Sequence, residues 1–140
     1  MPMITYRTFD HTADLGIEVY GRTREELFVH AAEAIADLLA DREGKADRTV
    51  RICATGEDGP DLLVNFLREI LYQFHGSGLL LRQIRITTLE ENKICAEARG
   101  EVLDLAGGCL RKEIKAVTYH QASLRRGRSG RWTARVILDV

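Results

Sequence analysis

Hydrophobic and polar positions along the chain change period several times. Each change predicts an element. Residues 3–9 alternate weakly and predict a strand. From 15 to 20, Leu15, Ile17 and Val19 fall on one face and Gly16, Glu18 and Tyr20 on the other, the pattern of a half-buried strand. Thr23 with Glu26 three residues on has capping-box spacing and opens a helix. Its apolar stripe is Leu27, Phe28, Ala31, Ala32, Ile35, Leu38 and Leu39, and its end is expected near residues 41–44. Residues 48–55 alternate again, with Val50, Ile52 and Ala54 inward.

A second helix follows the turn 56–60, with Asp58 as N-cap and Pro60 in the first turn. Leu62, Leu63, Phe66, Leu67, Ile70, Leu71 and Phe74 make it the most apolar stripe in the sequence and the expected core helix. Gly76 and Gly78 stop it. The remainder reads as strands. Residues 79–88 and 93–103 flank a turn at Glu91-Asn92, and residues 112–125 and 131–139 flank a turn at 127–130. The expected architecture is α+β. A mostly antiparallel sheet is covered on one face by two amphipathic helices, in a single domain spanning residues 1–140.

Composition narrows the function. The 140 residues are 45% hydrophobic and 29% charged, enough apolar surface for a core. The net charge of −1 argues against a duplex-binding protein, which carries a basic excess to neutralise phosphates. No apolar run reaches the roughly 20 residues of a membrane span, so the expected location is the cytoplasm, with no membrane partner. Cys53, Cys95 and Cys109 lack CxxC spacing. They are expected as separate small buried or half-buried residues, with neither a disulfide framework nor a zinc site.

Chemistry concentrates in Asp10-His11-Thr12-Ala13-Asp14, where two carboxylates and an imidazole stand within five residues between two strands. The bland reading is a turn whose Asp and Thr side chains bond their own backbone. The functional reading is a hard-cation site, because carboxylate oxygens suit Mg²⁺, Ca²⁺ or Mn²⁺. Asp139 beside Val140 adds side-chain and main-chain oxygens, and pairing of the last strand near the first lets Asp14 and Asp139 share one cation. Glu113 to His120 is the next constellation. Alternation sets Lys115, Val117 and Tyr119 on one face and Ile114, Ala116, Thr118 and His120 on the other. His30, His75 and the turn Arg125-Arg126-Gly127-Arg128 read as surface features.

Taken in order, several blocks resemble the archease family. They are Asp10-His11-Thr12-Ala13-Asp14, Gly21 with Leu27-Phe28 and Ala31-Ala32, 62–67, Gly100-Glu101, 113–120, Trp132 and Asp139-Val140. The resemblance runs nearly end to end. It departs at Gly108-Cys109-Leu110-Arg111-Lys112, where archeases often carry a His-Pro-containing segment and a Thr. It implies a non-enzymatic helper of an RtcB-type RNA ligase, in tRNA splicing or RNA repair. The helper promotes guanylylation of the ligase histidine and repeated turnover, and broadens the nucleotide accepted. It implies a divalent cation (calcium, magnesium or manganese) on Asp14, Asp139 and Val140. Asp10, His11, Lys115 and His120 are expected as supporting or partner-contact residues. RNA is reached only through the ligase. The alternatives are a metal-dependent phosphohydrolase, with His11 as base, and a chaperone-like binding module.

Overall fold

The computed structural model describes residues 4–40, 46–104 and 110–140. Its elements run β1 (Tyr6–His11), β2 (Asp14–Gly21), α1 (Arg24–Leu39), β3 (Arg48–Thr55), α2 (Gly59–Ser77), β4 (Leu79–Leu89), β5 (Lys93–Val102), β6 (Ala116–Arg126) and β7 (Trp132–Asp139). The expected α+β architecture, antiparallel strands and two helices are all present. The strands divide between two sheets. The first has the order β1-β2-β7-β6 and the second β3-β5-β4. Each helix packs on strands of both sheets.

Local chemistry explains the helix ends. The Thr23 hydroxyl accepts from the Glu26 N–H at 3.0 Å, and Glu26 reaches back to the Arg22 N–H at 3.2 Å. The first bond satisfies a first-turn donor that the helix itself leaves open, and the second ties the residue before the cap to the same turn. Asp58 does the same for the Asp61 N–H at 2.9 Å. The Gly78 N–H closes α2 on the Phe74 carbonyl at 2.8 Å, while Gly76 lies inside the helix. The structure closes α1 at Leu39. Residues 41–44, where the sequence places its end, lie outside the described set, as does Cys109.

Leu62, Leu63, Phe66 and Leu67 of α2 are fully buried, together with Leu27, Phe28, Ala31 and Ile35 of α1. Phe28 and Phe66 meet with ring centroids 5.9 Å apart. Inward positions of both sheets complete this core, among them Ile17, Val19, Ala134, Val136 and Leu138 of the first. Removing such side chains from water is the main drive to fold. Here it also fixes register, because a one-residue slip of β2 or β7 turns every buried residue outward.

Two expectations are corrected. Cys53 and Cys95 are not separate residues: they stand opposite each other in the β3–β5 ladder and are joined by a disulfide. Antiparallel pairing brought the sulfurs together across 42 residues, which no spacing motif records. His30 is not a surface feature, since it is half-buried, whereas His75 is exposed as expected and still bonds backbone. His30 Nδ1 lies 2.6 Å from the Tyr20 carbonyl and His75 Nε2 lies 2.9 Å from the Ile114 carbonyl. A carbonyl only accepts, so each ring nitrogen is the N–H form. The two histidines pin α1 and α2 to neighbouring backbone.

Candidate functional site

The β1–β2 hairpin turns through Thr12 and Ala13, with His11 and Asp14 as its last pair. β7 is the central strand beside it. The β2–β7 ladder runs through Gly16↔Ile137 and Leu15↔Leu138. One further step in that register sets Asp14 against Asp139. On the other side Asp139 pairs with Ala116, and its carbonyl accepts the Lys115 N–H at 2.7 Å. Thus the early hairpin, the end of β7 and the start of β6 meet at one corner of the first sheet. The lysine joins through its main chain.

β6 delivers the rest by breaking its own pattern. Between Thr118↔Ile137 and Ser123↔Arg135 the ladder shifts, so four residues of β6 face the single residue Val136. Gln121 in this bulge has φ 53°. Bulges re-aim side chains in this way. His120 and the next residue, Gln121, therefore both reach His11, although strict alternation would send them to opposite faces. Gln121 Oε1 lies 3.1 Å from His11 Nε2, and the His120 ring meets the His11 ring edge-on at 5.6 Å. Among the described residues only Thr12, at φ 42°, and Gln121 hold positive φ without being glycine. One precedes Asp14 and the other holds His11. Backbone held in this sparsely populated region persists only where surrounding structure over-determines it.

His11 is half-buried. With Nε2 donating to Gln121, Nδ1 carries the lone pair. That nitrogen is buried, has no hydrogen-bond partner, and lies 3.8 Å from Asp14 Oδ2. Asp10, Phe9, His11, Gln121, Arg135 and Ile137 line an adjacent cleft of about 220 Å³. Asp14, Asp139, Val140, His11 and His120 are thus gathered in one region, and Asp10 lines its edge. Among the described residues, no three His, Cys, Asp or Glu side chains are close enough together to hold an ion by themselves.

The sequence missed Gln121, the Glu18 row and the Tyr119 clamp. Glu18 accepts from Tyr20 at 2.5 Å and pairs with Arg7 and Arg135, each at 3.2 Å. The Tyr20 hydroxyl, then the two guanidiniums, hold its carboxyl below the ordinary carboxylate range; burial acts the other way. Tyr119 donates to Asn65 Oδ1 and lies under Arg68, whose guanidinium is 4.1 Å from the ring centroid. Arg68 Nε also donates to the Val117 carbonyl at 2.9 Å, tying α2 to the strand that carries the bulge. The one available signal was the failure of alternation after Tyr119.

Fold and corner together define a small two-sheet α+β protein whose chemistry gathers at one sheet corner. No helix among the described residues is long and apolar enough to cross a membrane. The model of the Archease protein family (MTH1598/TM1083) matches residues 6–140, and the chain belongs to that family. It is 37% identical to protein archease of Methanosarcina barkeri, over 96% of this chain and 95% of the relative. It is 35% identical to protein archease of Pyrococcus abyssi, over 99% and 100%. A solution structure of protein 1598 from Methanobacterium thermoautotrophicum superposes with TM-score 0.76 and 32% identity, over 97% of this chain and 99% of the other. A crystal structure of an archease, possible chaperone, from Thermotoga maritima shares the fold at TM-score 0.61 and 22% identity, over 96% of each chain. None of these names states an enzyme activity.

Proposed function

We propose that this archease is a non-enzymatic activator of an RtcB-type RNA ligase. It promotes guanylylation of the ligase's active-site histidine and repeated turnover in tRNA splicing or RNA repair, and it widens the nucleotides the ligase accepts. The observation that carries the reading is the convergence of Asp14 and Asp139 by ladder register, in a chain that belongs to the family.

A divalent cation, calcium, magnesium or manganese, fits this corner. Two carboxylates and a main-chain oxygen of Val140 are hard donors. Metal–donor bonds of about 2.0–2.6 Å allow two donors of one ion to stand some 3–4 Å apart. The unpartnered His11 Nδ1 and Asp14 Oδ2 are 3.8 Å apart. When bound, the ion supplies positive charge where phosphoryl transfer develops negative charge. The chain's own residues position it. The β2–β7 ladder holds Asp14 and Asp139 on neighbouring strands, Gln121 orients His11, and the Lys115 N–H fixes the Asp139 carbonyl. Asp10, His120 and the Lys115 side chain are assigned to the rim that meets the ligase.

The test replaces Asp14 or Asp139 with Ala and follows ligase–GMP formation over many turnovers. The expected result is ligase output at its unassisted level with the melting temperature preserved. Full stimulation by either variant overturns the ion-bearing corner. The Thermotoga description as a possible chaperone favours one second reading, a general binding module. That reading predicts broad suppression of aggregation, indifference to chelators, and many partners rather than one in a pull-down. We assign the protein to the cytoplasm. A disulfide is unusual there outside hyperthermophiles, so alkylation trapping of Cys53 in cells tests that assignment directly.

A further inference from the structure

The inner face of the first sheet is core. Its outer face buries Tyr20 and Ile137 but exposes Arg7, Arg125 and Arg135, and it carries a charge pattern that the chain's net charge of −1 conceals. Between residues 121 and 138 there are five arginines and no Asp or Glu. They cluster at and beside the β6–β7 hairpin, at the opposite end of β7 from Asp139, roughly 25 Å away by strand geometry.

The arginines fall into two groups. Arg131 lies over the Tyr20 ring at 4.6 Å and Arg135 over the Phe9 ring at 4.1 Å. Stacking holds a guanidinium plane flat on the ring and leaves N–H edges for an acceptor. Arg135 shares Glu18 with Arg7, so two cations answer one carboxylate and this row remains positive. The side chains of Arg125, Arg126 and Arg128 are exposed and make no ion pair or hydrogen bond among the described residues. Arg125 pairs with Thr133, and Thr133 with Tyr20. Arg125 therefore stands on the outer face in line with the stacked group.

We infer that this arginine strip binds the phosphates of single-stranded RNA, with the strand lying along the outer face from the hairpin toward the Asp14–Asp139 corner. Forked, ring-supported guanidiniums suit phosphate oxygens. The rings are already capped, so bases are not selected and binding is tolerant of sequence. The choice of RNA rests on the ligase reading above; the preference for a polyanion rests on the charge pattern alone. The sequence-level expectation gives RNA contact only through the ligase, and this strip adds a direct one.

The test is fluorescence anisotropy of a 5′-labelled single-stranded 12-mer RNA with the full chain alone, across a salt series. Wild type is compared with Arg125→Glu/Arg128→Glu. A control, Arg48→Glu/Lys93→Glu, carries the same charge change on the second sheet. The hairpin variant is expected to lose roughly tenfold in affinity and to show a shallower salt slope, with the control within about twofold of wild type. Equal weakening by both pairs, or no wild-type binding at low salt, overturns the strip. Unchanged RNA affinity with lost ligase stimulation also overturns it, and assigns the arginines to an acidic protein surface instead. The ligase reading fails separately, through Asp14→Ala, so the two failures are distinguishable.

Discussion

Both sheets place an arginine, a glutamate and an arginine in one row across three strands. On the second sheet the row is Arg51, Glu97 and Arg85. On the first it is Arg7, Glu18 and Arg135. The second row is wet: Arg85 and Glu97 pair at 2.9 Å, but their side chains are 69% and 46% exposed. Such pairs contribute little to stability. In the first row Glu18 is only 16% exposed and also receives the Tyr20 hydroxyl, while Arg135 stacks on Phe9. The same Arg–Glu–Arg row thus gives a solvated surface in one place and an organised face in the other. Neighbouring rings and backbone make the difference.

The strongest way to probe the contrast is to unfasten the second sheet. Removing the Cys53–Cys95 bridge with Cys53→Ala/Cys95→Ala is expected to cost about 3–4 kcal/mol in urea denaturation, from the chain entropy of a 42-residue separation. Ligase stimulation should survive, because the bridge lies on the sheet without the corner. Loss of stimulation in the folded protein would show the sheets to be coupled.

Paired glycine substitutions come next. A Cβ on Gly100 would stand 1.9 Å from the Leu80 carbonyl oxygen, in backbone that cannot yield without parting β4 from β5. A Cβ on Gly16 would meet the Phe9 ring at 2.1 Å, and a ring can swing away. Gly100→Ala should cost about 3 kcal/mol and Gly16→Ala about 1–2 kcal/mol. Gly16→Ala should also displace Arg135 from its aromatic seat, visible as loss of ring-current shifts. Equal costs would mean that Phe9 is as fixed as backbone.

A third prediction uses acid. Glu18 has a folded pKa below its unfolded value, so its contribution is present above the ordinary glutamate pKa of about 4.3. It is lost as pH falls through the lower folded value. Between pH 7 and pH 3 the Glu18→Gln variant should therefore lose less stability than wild type. Identical slopes would reduce the Glu18 row to the status of the Glu97 row.

The smallest stability effect is expected at the bulge. Gln121→Gly relieves a positive φ but gives the unfolded chain more freedom, so stability should stay within about 1 kcal/mol. His11 loses its Nε2 partner, and its NMR ring signals should broaden or move.

Local rules make much of this molecule legible in its sequence. Thr23 and Asp58 announced both helices because a cap needs only near neighbours. The stripe from Leu62 to Phe74 marked the core helix for the same reason. The nearness of the strands that carry Asp14 and Asp139 is expected from the sequence, and β2 does pair with β7. What escaped was set by long-range pairing. The division into two sheets depends on which strands meet, not on what each looks like. Cys53 and Cys95 are neighbours only through the β3–β5 register. Gln121 reads as an ordinary strand residue until the bulge turns it toward His11.

The position of β7 has a consequence for biosynthesis. A strand near the C-terminal end of the chain fills the centre of the first sheet, between β2 and β6. While the ribosome still holds residues 132–139, β2 lacks one neighbour and β6 has none, and Asp14 waits without Asp139. The second sheet needs only residues 48–102 and is free to form earlier. A nascent chain can therefore be half built, with its second sheet formed, while the corner that joins β2, β7 and β6 does not yet exist.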